Sequence, residues 1–314
     1  MTTWNVLITA PRACQALAVY QDAMEPMGCR LRVCPPLERH DEEDLMPLVV
    51  DVDAIICGDD RISARVLHAA SRLRVIAKWG TGVDSIDREA ARQQGVEVCN
   101  TPDAFSDPVA DSVLGYLLLF TRRLDLMTDE MRACRWTHVP LAALRECTLG
   151  IVGFGHIGRA VARRAAAFGM PMLVHDVRSV ETEAAGAGAR VVGLDHLLMH
   201  SDFVTLHADL RPENRHLIDE AHLHLMRPSA VLINTARGGL VDEGALASAL
   251  AGGRLAGAAL DVFEVEPLPD ASPLRKLPNV YLAPHNSNSS PSAAQRVHAN
   301  TIRNVLRRLG ALPS

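Results

Sequence analysis

Near the middle of the chain an apolar run breaks into a glycine-rich turn, Gly150-Ile151-Val152-Gly153-Phe154-Gly155-His156-Ile157-Gly158. Gly153, Gly155 and Gly158 keep G-x-G-x-x-G spacing between a strand-like stretch and a helix-like one. Gly153 permits the tight turn, Gly155 lets the main chain approach a pyrophosphate, and Gly158 lets the helix pack closely on its strand. The amides that open the helix, those of His156 and Ile157 among them, then face the phosphates of a dinucleotide. A second strand-like run, residues 172–175, ends in Asp176, about 20 residues beyond the turn, where an acid binds the adenosine ribose hydroxyls. A carboxylate there repels a 2′-phosphate, so NAD is expected ahead of NADP, and Arg178 stands close enough to weaken the preference.

A complete α/β series precedes this turn. Short, mostly apolar runs at residues 5–9, 31–34, 54–57, 75–78 and 96–99 suit strands buried on both faces. Helical patterns lie between them at residues 14–27, 45–50, 64–70 and 87–93. Such alternation builds a parallel sheet with right-handed crossovers. Asn100-Thr101-Pro102 breaks the pattern, and a long helix is expected from Ser106 to about Cys134. A second series runs over residues 149–284. The last helix, over residues 293–309, carries Val297, Thr301, Val305 and Leu309 at helical spacing. A chain that leaves one unit, builds another and returns at its end makes two lobes with a cleft, where small ligands bind. The expected division is residues 1–101 with 287–314, and residues 102–286.

Composition excludes several alternatives. A chain of 314 residues with 48% apolar content is sized for two well-buried domains. Net charge is −5, and Arg122-Arg123 and Arg307-Arg308 form no larger basic block, so no nucleic-acid partner is expected. The first residues read as a strand, not a signal peptide. No stretch is long and apolar enough for a membrane span, and residues 113–120 read as a buried helix. Seven scattered cysteines without a Cys-x-x-Cys argue against a disulfide framework or zinc site and for thiols in a reducing cytoplasm. No cluster has metal-ligand spacing.

Three later segments bring polar residues to strand ends. Ile233-Asn234-Thr235-Ala236-Arg237-Gly238-Gly239 places Arg237 just past a strand, at the ligand-binding edge of an open sheet. Ala258-Ala259-Leu260-Asp261 ends a buried strand in an acid, and Glu266 follows five positions later. Val280-Tyr281-Leu282-Ala283-Pro284-His285 places a histidine after the next strand. An arginine, carboxylates and a histidine thus arrive at one edge from successive strands. Asp242 and Glu243 read as first-turn helix acids.

Together with Gly80-Thr81-Gly82-Val83-Asp84-Ser85-Ile86-Asp87, Asn100-Thr101-Pro102, residues 194–207 and Glu213-Asn214-Arg215-His216-Leu217-Ile218, these segments make nearly the whole chain resemble the D-isomer-specific 2-hydroxyacid dehydrogenases, which include phosphoglycerate dehydrogenases and glyoxylate/hydroxypyruvate reductases. The resemblance implies two doubly wound parallel-sheet α/β domains, Rossmann-like and flavodoxin-like, and hydride transfer between NAD(H) and C2 of a small D-2-hydroxy acid or its 2-keto acid. It implies that His285 is the acid/base, that Glu266 pairs with it and favours imidazolium, and that Arg237 holds the substrate carboxylate. Asp261 is implied to accept from the nicotinamide carboxamide, with His207, Thr235, Ala236, Arg237, His285 and Ser287 also beside the cofactor. Thr81 and Gly82 are implied to bind the substrate carboxylate through their amides, and Lys78, where the phosphoglycerate branch often has arginine, to reach an anionic tail. A homodimer is implied by the helix from Ser106 and the Arg135-Trp136 segment.

The chain departs from the family pattern at Asn286-Ser287-Asn288, where small residues are common, at Trp79, at Ala208-Asp209-Leu210-Arg211, which lacks the usual Pro-Leu-Thr, and at Asp111, where glutamate is usual. The rival reading is an NAD-sensing binding protein on the same fold, similar to the corepressors that resemble this family; the intact Arg237, Glu266 and His285 favour the enzyme. A short-chain dehydrogenase is excluded because none of the three tyrosines begins a Tyr-x-x-x-Lys, and an L-lactate-type enzyme would open with its dinucleotide turn.

Overall fold

The computed structural model describes residues 3–34 and 37–312. The chain forms two compact units, Met1–Ala104 with Ser290–Ser314, and Phe105–Ser289.

The first unit is built on five parallel strands, β1 (Trp4–Ile8), β2 (Cys29–Val33), β3 (Ala54–Cys57), β4 (Val75–Lys78) and β5 (Glu97–Cys99), in the order β2-β1-β3-β4-β5. All residues of β3 and β4 are buried, as expected of strands covered on both faces. The terminal helix Pro291–Arg308 packs on this sheet, setting Ile302, Val305 and Leu306 against Val6, Ile8 and Ile56. Full burial contributes roughly 1.5–3 kcal/mol per aliphatic side chain, enough to hold the returning chain end on the sheet.

Two helices here differ from expectation. The stretch expected at residues 14–27 is divided into Pro11–Gln15, Leu17–Met24 and the 3₁₀ turn Glu25–Met27. The helix expected at 45–50 instead covers Glu42–Leu45, because Asp41 and Asp44 form a capping box that starts it earlier.

The second unit holds seven parallel strands, β6 (Leu149–Val152), β7 (Met172–His175), β8 (Ala189–Val191), β9 (Phe203–Leu206), β10 (Val231–Asn234), β11 (Gly257–Leu260) and β12 (Val280–Leu282), in the order β12-β11-β10-β9-β6-β7-β8. From β6 the chain proceeds outward through β7 and β8, then returns to β9 on the other side of β6 and proceeds to β12. The strand order therefore reverses between β6 and β9, the switch point at which open α/β sheets bind ligands.

The helix Ser106–Arg122 buries Ala110, Val113, Leu114 and Leu117 in the same core as Ile151 and Phe154. On its exposed side Asp107 and Asp111 both pair with Arg164. The single helix expected to about residue 134 breaks at Arg123, which adopts a left-handed φ of 44°. The second helix, Leu124–Arg132, buries no residue, and residues 131–140 are all exposed. Among the described residues, no helix is long and apolar enough to cross a membrane.

Candidate active site

Polar residues gather along the carboxyl edge of the second sheet. At the end of β6, Gly153 has φ +92°, and a Cβ there would lie 2.6 Å from the Ala208 nitrogen and the His207 carbonyl carbon. Glycine is thus required for the turn to pass beside the chain leaving β9. A Cβ at Gly158 would meet the Gly153 oxygen at 2.2 Å, whereas Gly155 faces open space. The helix His156–Ala167 starts here with Gly155 as its N-cap residue.

Asp176 follows β7. Its Oδ2 accepts the Phe154 amide at 2.7 Å, and Arg178 donates to both oxygens from main chain and guanidinium. Burial works to raise this carboxyl, but the hydrogen bonds from Arg178 and Phe154 outweigh it and hold the pKa down at about 2. Arg178 itself is 62% exposed.

His207 and Thr235 stand just past β9 and β10. His207 Nε2 is 3.0 Å from the Thr205 hydroxyl, while its Nδ1 and the Thr235 Oγ1 are enclosed without a hydrogen-bond partner. Burial pushes the His207 imidazole down to about 3, which keeps it neutral at physiological pH. Enclosed polar atoms of this kind take their partners from a ligand or from ordered water. Together with the open face of Gly155 and the amides of a helix start, they fit a bound dinucleotide.

Arg237 follows β10 and is held by a residue that sequence reasoning did not single out. The buried Asn234 side chain donates to the Arg237 carbonyl at 2.9 Å and accepts the Ala236 amide at 3.1 Å. An asparagine at a strand end, three residues before the arginine, was the available signal, since Asn readily bonds its own local backbone. A Cβ on Gly238 would fall 1.9 Å from the Phe263 carbonyl carbon, so the Arg237 turn packs directly on the chain leaving β11. Asp242 caps the following helix by accepting the Ala245 amide, and Glu243 occupies its first turn.

The histidine and both acids beyond β11 are joined. His285 Nδ1 lies 2.8 Å from Glu266 Oε2, with both side chains about a quarter exposed. The other Glu266 oxygen accepts the Phe263 amide at 2.9 Å, so the carboxylate is fixed from two sides. The Asp261 carbonyl accepts the His285 amide, and its carboxylate oxygens accept the amides of Asn286 and Ser287, all at 2.8 Å. Asp261, which the resemblance makes a partner of the nicotinamide carboxamide, also clamps the histidine loop, and each of its oxygens keeps a second lone pair for a further donor. With Nδ1 beside a carboxylate, the imidazole is oriented by Glu266.

In the first unit, the loop after β4 carries Thr81 and Gly82. The Thr81 hydroxyl donates to the Thr101 carbonyl at 3.1 Å, and the Thr101 amide donates to Gly80 at 2.8 Å. Lys78 is buried and donates to Asp59 and to the Gly58 carbonyl. The Trp79 indole donates to His298 Nδ1 at 3.0 Å.

Residues 114–287 match the family model of the D-isomer specific 2-hydroxyacid dehydrogenase NAD binding domain. The chain belongs to this family. It is 38% identical over 297 residues to a glyoxylate reductase of Thermofilum pendens, covering 90% of this chain and 88% of that protein. It is 35% identical over 278 residues to a hydroxypyruvate reductase of Thermotoga maritima, covering 87% and 90%. A solved D-lactate dehydrogenase of Aquifex aeolicus, complexed with NAD and lactic acid, superimposes with a TM-score of 0.88 at 26% identity, covering 98% of this chain and 95% of that one. The dehydrogenase is accordingly an NAD-dependent oxidoreductase acting between a D-2-hydroxy acid and its 2-keto acid.

Proposed function

We propose that this dehydrogenase reduces small 2-keto acids of the glyoxylate and hydroxypyruvate class, with His285, Glu266 and Arg237 as its catalytic residues. The observation that carries the reading is the 2.8 Å pairing of His285 Nδ1 with Glu266, the imidazole–carboxylate couple that acid/base catalysis uses. The names of the two relatives cited above point to the same substrates.

NADH, when bound, supplies the hydride that reduces the substrate's C2 carbonyl. His285 donates a proton from Nε2 to the carbonyl oxygen and recovers it in the reverse direction, while Glu266 stabilises the imidazolium. Arg237 pairs with the substrate carboxylate through its planar fork, assisted by the Thr81 and Gly82 amides. The Gly153–Gly158 turn with the amides of His156 and Ile157 holds the pyrophosphate, and Asp176 takes the adenosine ribose. His207, Thr235, Ala236 and Ser287 line the rest of the cofactor site, where His207 Nδ1 and Thr235 Oγ1 gain the partners they lack. On this reading the unit Phe105–Ser289 binds the cofactor and the other unit the substrate.

The working form is a homodimer in the cytoplasm. The support for dimerisation is the Leu124–Arg132 helix with no buried residue and the exposed segment after it, in which Trp136 is 77% exposed. An aromatic left this bare suits a second copy of the same chain. The seven cysteines are free thiols, four of them buried, which suits a reducing compartment.

The test is NADH oxidation against glyoxylate, hydroxypyruvate, pyruvate and bulkier 2-keto acids, with His285→Ala as control. Turnover that is strongest with glyoxylate or hydroxypyruvate and lost in the variant is expected. A preference for another acid overturns the substrate assignment, and turnover unchanged in His285→Ala overturns the mechanism.

A further inference from the structure

Three segments of the second unit meet beside the proposed catalytic residues, and one side chain joins them. A Cβ on Gly238 would fall 2.1 Å from the Phe263 carbonyl oxygen and 2.4 Å from the Glu264 nitrogen. The peptide between Phe263 and Glu264 is therefore the surface on which the Arg237 turn rests. The same stretch holds Glu266, whose Oε1 accepts the Phe263 amide and whose Oε2 faces His285 Nδ1. A shift of this peptide moves the Arg237 turn and the Glu266–His285 couple together.

Glu264 anchors that peptide. Its Oε2 accepts from Arg215 Nη2 at 2.6 Å, and His216 Nε2 lies 3.1 Å from the same oxygen. Its Oε1 accepts the Glu243 amide at 3.2 Å, and its own amide donates back to Glu243 Oε1. This exchange ties the chain leaving β11 to the first turn of the helix Glu243–Ala251. Two carboxylates placed so closely repel each other, and the Arg215 guanidinium offsets that repulsion. Arg215 opens a segment that is itself bonded to the chain after Arg237: the His216 amide donates to the Gly239 carbonyl at 2.8 Å and the Ile218 amide to the Leu240 carbonyl at 2.9 Å.

We propose that Glu264 is a positioning residue: held by Arg215 and Glu243, it fixes the Phe263–Glu264 peptide and with it the spacing between Arg237 and the Glu266–His285 couple. The assignment rests on the reading that those three residues catalyse. Reduction needs the substrate carboxylate on Arg237 and the carbonyl oxygen at His285 at the same time, and a misplacement of about 1 Å costs about 10²-fold in rate.

The experiment measures Tm, NADH affinity by fluorescence titration, and kcat and KM for the best 2-keto acid of the panel in Glu264→Ala, Glu264→Gln and Arg227→Met. Arg227→Met is the control, because it breaks an ion pair with Asp202, just before β9 and so at the opposite, amino edge of the same sheet; it should lower Tm and leave the kinetics unchanged. Glu264→Ala is expected to lower kcat/KM about 10²-fold, through a lower kcat as well as a raised KM, with the NADH Kd within about twofold of wild type. Glu264→Gln keeps one oxygen acceptor and should recover about tenfold of that loss. Wild-type kinetics in Glu264→Ala, an equal loss of kcat/KM in Arg227→Met, or an NADH affinity that falls as far as kcat/KM each overturns the proposal. Should Glu264→Ala fail to fold, Arg215→Met decides. Arg215 is 56% exposed, and its loss is expected to lower kcat/KM about tenfold at unchanged NADH affinity; wild-type kinetics there overturn the proposal. Turnover that survives His285→Ala would overturn the proposed mechanism itself, an outcome distinct from wild-type kinetics in the Glu264 variants.

Discussion

Asp261→Asn isolates the clamp that holds the histidine loop. Asp261 is 1% exposed, and each carboxylate oxygen accepts one main-chain N–H, from Asn286 and from Ser287, at 2.8 Å. Its carbonyl accepts the preceding amide, that of His285. His285 has φ 48°, a left-handed conformation that a non-glycine residue keeps only when its surroundings impose it. Asparagine has the same shape but turns one acceptor into a donor, so an N–H faces an N–H. The loss of a charge-assisted hydrogen bond costs about 1.5–3 kcal/mol, and an unsatisfied buried amide about 1–3 kcal/mol. The two overlap, so a net cost of about 2–4 kcal/mol is expected. At roughly 2–4 °C per kcal/mol for a domain of this size, Tm falls by about 4–16 °C. Calorimetry measures that fall, and steady-state kinetics should show kcat reduced about tenfold or more as His285 loses its fixed position. A Tm within about 1 °C of wild type would refute the clamp. If NADH affinity then fell on its own, Asp261 would be a cofactor contact and no more.

Three other perturbations test separate parts of the structure. The His207 pKa is depressed to about 3 from an ordinary 6.5, so the unfolded chain binds the extra proton between those values and the associated stability is lost as pH falls below 6.5. Between pH 7 and pH 5 this amounts to about 2 kcal/mol, and urea unfolding of His207→Gln should show a pH slope shallower by that amount; equal slopes refute it. Asp176→Ser removes the carboxylate while leaving Arg178, and should raise kcat/KM for NADPH relative to NADH by about tenfold or more; an unchanged ratio means that Asp176 does not select the cofactor. Trp136→Glu should convert the dimer to monomers in light scattering, and a wild type already monomeric at working concentration would remove the dimer from the proposal.

The strands were legible because parallel strands covered on both faces must be apolar throughout. Ala54–Cys57 and Val75–Lys78 occupy the expected positions and are wholly buried, the terminal lysine included. What escaped the pattern was backbone events without a side-chain signature. Arg123 enters the left-handed region between Arg122 and Leu124, with neither glycine nor proline to mark the break. The Glu42–Leu45 helix begins at an acidic capping box, whereas apolar spacing responds only to Leu45 and the buried Val49 further on. Periodicity reports which face is buried; it does not report where hydrogen-bonding begins or stops.

At the site, position was more legible than use. A polar residue directly after a parallel strand lies at the carboxyl edge by topology, which is why Gly153, Asp176, Arg237, Asp261 and His285 could be picked out from strand ends alone. Whether such a group faces a ligand depends on whether the chain already employs it, and that is settled by residues far away in sequence. Lys78 is engaged by an acid 19 positions earlier, and Asp261 accepts amides 25 and 26 positions later while keeping a lone pair on each oxygen. His207 is the opposite case: its sequence context, without the expected Pro-Leu-Thr, spoke against an ordinary role, yet its Nδ1 is enclosed and unpartnered. A charged side chain at a sheet edge is thus weak evidence for a ligand of opposite charge until its internal partners are counted. An enclosed polar atom that lacks a protein partner at the sheet's carboxyl edge carries more weight, because leaving it unsatisfied costs stability that a ligand or an ordered water restores.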